Sequence, residues 1–142
     1  MKIKKYTCLY LLVSLLWVVS VYARADIAIV VHPENNSRFS DNDLKKIFLA
    51  KTKRFPSGKS ASVLDQMAGS AIRKTFSRKM LNRSEKKLTA YWSRLIFTGK
   101  ALPPKAVHDD REMMRLVGRN PKLIGYIDAS SVDSTVRVIK VF

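Results

Sequence analysis

The chain has 142 residues, and its 27 Lys and Arg against 11 Asp and Glu give a formal net charge of +16. That length supports one core and is small for two independent lobes, while the basic excess points to anionic partners without choosing among oxyanions, nucleic acid and acidic surfaces. One cysteine, Cys8, excludes an intrachain disulfide and a cysteine metal cluster.

Residues 1–25 read as a secretory signal peptide. Lys2, Lys4 and Lys5 precede an apolar run from Tyr6 to Tyr22, and Ala23-Arg24-Ala25 has the small-x-small form of a cleavage site. The competing reading is an uncleaved anchor, since the run approaches the roughly 20 residues that span a bilayer. Cleavage after Ala25 removes Cys8 and leaves residues 26–142 as one domain, with no stable membrane span. Asp26-Ile-Ala-Ile-Val-Val31 is apolar without alternation, which predicts a strand covered on both faces. The polar loop Glu34–Arg38 leads to a helix capped by Ser40, with Asp43 completing a capping box and Leu44, Ile47 and Phe48 facing inward. Ser37, in the loop past that strand, is a candidate ligand residue because open α/β sheets bind ligands beyond strand ends.

Lys51–Lys59 is a basic connector turning at Pro56-Ser57-Gly58. The stretch Ser60–Met80 organises the chain: a β-prone segment, a turn at Ala68-Gly69-Ser70, then a helix burying Ile72, Phe76 and Met80 four residues apart. The first turn of a helix exposes unpaired N–H groups and partial positive charge, so Gly69, Ser70 and Ala71 read as an oxyanion cradle to which Arg73 adds a charged donor. The competing reading is an ordinary Ser cap and a solvated arginine.

Asn82-Arg83-Ser84 breaks this helix and starts another, whose Leu88, Tyr91, Trp92, Leu95 and Ile96 keep helical spacing and read as core in preference to a base-stacking surface. Gly99 ends it, and Pro103-Pro104 prevents a further helix. Asp109 with Glu112 caps a short helix carrying Met113, Leu116 and Val117 inward. Lys122–Ile127 and Val136–Phe142 read as strands. Alternating strands and helices predict an α/β layer structure.

No catalytic constellation is announced. His32 and His108 lack metal-pair spacing, neither a Walker loop nor a Gly-x-Ser-x-Gly elbow occurs, and most acidic residues are accounted for as helix caps. The reading is a protein that is not an enzyme and needs no cofactor.

Several segments taken together resemble the small PBP-like proteins related to phosphate-binding components of ABC transporters. They are Phe48-Leu-Ala-Lys51 with Phe55-Pro-Ser-Gly58, the Gly69-Ser70 helix start with Arg73 and Phe76, Tyr91-Trp92 with Phe97-Thr-Gly99, and Asn120–Tyr126. The resemblance implies a cut-down type 2 periplasmic-binding fold, a periplasmic location and oxyanion binding between strand ends and helix starts. Full-length members carry Ser-Gly-Thr at the helix start and an arginine at the preceding strand end. Ser70-Ala71-Ile72 and Asp65-Gln66 stand at those places here.

The expected function is therefore reversible binding of phosphate or a similar oxyanion by Ser37, Gly69, Ser70, Ala71 and Arg73, with an ABC permease or another envelope protein as partner. The alternative is a non-catalytic envelope interaction module that has lost its ligand and uses its basic surface on a protein or anionic polymer. Nucleic-acid binding rests on net charge alone, and would show a steep dependence on salt.

Overall fold

Ile27–Val31, the apolar run without alternation, forms strand β1, and every one of its residues is fully buried. The computed structural model describes residues 25–142. The expected signal segment, apart from Ala25, lies outside the described residues. The remaining strands are β2 (Ser62–Gln66), β3 (Lys105–Val107), β4 (Leu123–Asp128) and β5 (Arg137–Val141), and the helices are α1 (Asp41–Phe48), α2 (Ala71–Lys79), α3 (Glu85–Phe97) and α4 (Asp110–Val117).

The strands make one mixed sheet in the order β3-β2-β4-β1-β5. β2 runs parallel to β3 and β4, whereas β1 runs antiparallel to β4 and β5. The α/β expectation holds. β3 is an addition: Pro103-Pro104 rules out a helix, but three residues beyond them pair along the edge of β2. Both faces of β5 are covered, Val138 packing on the α4 side and Ile139 on the other, so Arg137 through Lys140 are all half-buried, and its pairing with β1 shifts register between Ile29 and Val30.

Successive side chains of β1 supply two cores, as the two-residue period of a strand requires. Ile27, Ile29 and Val31 join Phe48 of α1, Phe76 of α2 and Trp92 of α3 on one face. Ala28 and Val30 join Met113 and Val117 of α4 on the other. The sheet is thus sandwiched between three helices and one. Gly125 makes the α4 side close: a Cβ there would stand 2.2 Å from the Met113 sulfur.

The caps occur where the residue pattern placed them. Ser40 Oγ accepts from Asp43 N–H at 3.2 Å while Asp43 Oδ2 accepts from Ser40 N–H at 2.9 Å. Ser70, Ser84 and Asp109 cap α2, α3 and α4. Leu88, Tyr91 and Trp92 are core residues, and the Tyr91 hydroxyl donates to the Leu49 carbonyl at 2.7 Å, whereas Ile96, expected in the same stripe, faces solvent near the end of α3.

Candidate functional site

At the carboxyl end of β2 the chain turns through Gly69, whose φ of +83° favours glycine, into α2, which begins at Ala71. Ser70 Oγ accepts from Arg73 N–H at 3.3 Å. Strand, glycine turn and serine-capped helix are all present, and Gly69, Ser70, Ala71 and Arg73 stand together.

Two of the chain's own carboxylates occupy the donors of this turn. Glu85, the first residue of α3, receives the Gly69 N–H at 3.2 Å and Arg73 Nη1 at 3.3 Å on the same oxygen, Oε1. Arg73 Nε donates to Asp65 Oδ2 at 2.9 Å, and the side chains of Arg73 and Asp65 are each 14% exposed. Burial opposes the charge on Arg73, but the hydrogen bond and negative charge of Asp65 outweigh it and raise the guanidinium pKa above its ordinary value. One cation therefore faces two carboxylates.

Asp65 is held from its other side as well. The Tyr126 hydroxyl donates to Asp65 Oδ1, which also receives the Gln66 N–H at 2.8 Å. The Tyr126 ring lies flat on Phe76, with centroids 3.7 Å apart. Burial pushes the phenol pKa well above its usual value, and the charge of Asp65 pushes the same way. Because side chains alternate along β2, Gln66 turns to the opposite face, where its amide donates to Asp110 Oδ1 at 2.8 Å and to the Tyr126 carbonyl at 3.1 Å. Asp110 Oδ2 accepts from Asp128 N–H at 3.1 Å. Asp65 thus puts a negative charge at the strand end where the resemblance leads one to expect a positive one. No group of three His, Cys, Asp or Glu residues able to hold a metal occurs among the described residues.

Ser37 is not brought to this turn. In the sheet register Val31, the last residue of β1, pairs with Ile124, which pairs with Val63 at the start of β2. Since β1 runs against β2, the loop that follows it emerges at the amino end of β2, across the sheet from Gly69. There Ser37 lines a cleft of about 490 Å³ with Ser57, Lys59, Ser60 and Lys122. Its buried hydroxyl has no hydrogen-bond partner among the described residues. The rule that ligands gather beyond strand ends presumes strands running one way, and β1 does not.

Solved structures of similar fold include proteins described as phosphate-transport and phosphate-binding proteins. An ABC-type phosphate transport receptor from Vibrio cholerae matches with a TM-score of 0.64 and 22% identity over 82% of this chain and 46% of its own. The chain carries a PBP-like fold. A Clostridium perfringens protein described as a phosphate ABC transporter substrate-binding protein, solved with phosphate bound, matches at 0.60 and 21% identity, covering 82% of this chain and 45% of that one. PstS from Borrelia burgdorferi matches at 0.59 and 14%, covering 82% and 47%. The chain thus spans a little under half the length of these PBP-like structures. No family model and no curated protein matches the sequence.

Proposed function

We propose that this chain is a non-catalytic, cofactor-free solute-binding module for phosphate or a similar oxyanion, with Gly69, Ser70, Ala71 and Arg73 as the ligand-contacting group and Glu85 in the ligand's place. The observation that carries the reading is the convergence of the Gly69 N–H and Arg73 Nη1 on the single oxygen Glu85 Oε1. Two donors aimed at one anionic oxygen are what an oxyanion cradle provides. A tethered carboxylate competes at high effective concentration, and two carboxylates beside one guanidinium repel a further anion. Phosphate binding is accordingly weak until Glu85 swings away. The neighbours described as a phosphate transport receptor and a phosphate ABC transporter substrate-binding protein support phosphate as the ligand and an ABC-type transporter as partner, and the signal-like pattern of residues 1–25 supports export to the periplasm. No helix among the described residues is long and apolar enough to cross a membrane.

A second reading is favoured by the same excess of carboxylate: an interaction module that keeps the fold and has lost its ligand. Isothermal titration with phosphate, using sulfate as control at two salt concentrations, separates the two. On the first reading Glu85→Ala tightens phosphate binding at least about tenfold, a conservative share of the repulsion between charges at contact distance. Ser70→Ala with Arg73→Ala abolishes it. No phosphate heat from folded wild-type or Glu85→Ala protein establishes the second reading.

A further inference from the structure

At the amino end of the sheet, remote from the oxyanion turn, three large apolar side chains stand in solvent. Phe97, the last residue of α3, is 93% exposed, Leu102 76% and Ile96 49%. Ile96 and Leu102 line a groove of about 320 Å³ with Ala50, Ala101, Lys53 and Lys100. The location follows from chain connectivity: Leu102 lies just before β3 begins at Lys105, and the Lys53 carbonyl accepts from Ala61 N–H next to the start of β2. Neither Lys53 nor Lys100 forms an ion pair among the described residues.

The sequence around this patch is one-sided in charge. No Asp or Glu occurs from Leu44 to Leu64 or from Lys86 to His108, while both stretches carry repeated Lys and Arg. Exposed leucine and isoleucine in a groove with two lysines, next in sequence to exposed Phe97 and in stretches that carry no carboxylate, combine the two elements of an interfacial membrane contact: apolar groups that enter the acyl boundary and cations that meet lipid phosphates. A protein partner fits less well. Three side chains and a shallow groove fall far short of the about 800 Å² that each partner contributes to a standard interface, whereas a few apolar side chains with several cations suffice at a bilayer.

We propose that the Ile96–Phe97–Leu102 patch and its Lys53 and Lys100 rim form a docking surface for an anionic phospholipid bilayer. Docked this way, the chain presents the opposite end of the sheet, with Gly69 and Arg73, away from the lipid. The proposal does not depend on phosphate binding, so either can fail alone.

The test is co-sedimentation with phosphatidylcholine vesicles with and without phosphatidylglycerol. It uses residues 25–142, which carry the complete sheet and both apolar cores, after circular dichroism shows them folded. The full chain with the same substitutions serves as a parallel series. Wild type is expected to bind the anionic vesicles and to release them in high salt. Lys53→Ser with Lys100→Ser weakens binding by roughly fivefold per lysine. Phe97→Ser with Leu102→Ser, at exposed positions, leaves the fold intact and weakens it by at least about tenfold. Absence of binding to anionic vesicles overturns the proposal. So does binding that survives the Phe97 and Leu102 substitutions, which would mean adsorption by charge alone, and so does a concentration-dependent dimer that those substitutions dissolve, which would assign the patch to a second copy.

Discussion

The two ends of the sheet differ in how they treat charge. At the carboxyl end of β2, Arg73 is shielded by Asp65 and Glu85, and Asp65 and Gln66 are tied in turn to Tyr126 and Asp110. At the amino end of β2, Lys53 and Lys100 have no ion-pair partner among the described residues and line a groove with Leu102, and Phe97 is exposed. One end satisfies its polar groups internally and the other leaves both cations and apolar carbon to solvent. Net charge therefore says little about where an anion would act on this chain. A positive residue counts toward recognition only when no neighbouring carboxylate has already taken it.

Substitutions at the two ends should separate them by the size of their effect on folding. Asp65→Ala leaves the largely buried Arg73 with Glu85 as its remaining carboxylate and removes the acceptor of Tyr126, and losing these two charge-assisted hydrogen bonds is expected to cost about 3 kcal/mol in urea unfolding. A loss below about 1 kcal/mol would mean the network contributes little and the contrast between the ends is only one of appearance. Tyr126→Phe keeps the ring on Phe76 and deletes one hydrogen bond to a charged acceptor, at about 2 kcal/mol.

Tyr126 also sets a pH dependence. Its folded pKa lies above the unfolded value of 10.0, so above that value the folded state holds more protons than the unfolded one. The stability it contributes is complete below about pH 10 and declines as pH rises further. Tyr126→Phe should flatten that decline, as urea midpoints measured across the alkaline range would show. Ser70→Ala loses a cap on α2 and is expected to cost about 1 kcal/mol. The smallest effect belongs to the other end. Phe97→Ser should shift the urea midpoint by no more than the equivalent of about 0.5 kcal/mol, because its ring is in water already.

The local features of the chain were legible in the sequence, and the features that pair distant residues were not. Ser40, Ser70, Ser84 and Asp109 announce helix starts because a cap and its N–H partner lie three residues apart. The unalternating run of β1 correctly gave burial on both faces, yet it carries no information on strand direction, and direction is what separates Ser37 from Gly69. Glu85 is an acidic residue in the first turn of α3. Its second role, as acceptor for the Gly69 N–H, spans 16 residues and depends on how α2 packs beside α3. Asp65 and Tyr126 are 61 residues apart and meet only because β2 and β4 are sheet neighbours. The one local trace of this network was the acidic Asp65 at a strand end.

The place of β1 in the sheet bears on the order in which the chain can assemble. Among the described residues, the first strand finds its hydrogen-bonding partners in residues 123–128 and 137–142, close to the other end of the described chain. Until those residues are available, both edges of an entirely apolar strand are open, and closing the intervening loop is a slow, entropically costly step. Refolding of this chain should therefore be late and all-or-none. A fragment that stops before Arg137 would leave one edge of β1 bare, ready to pair with the same strand of another molecule.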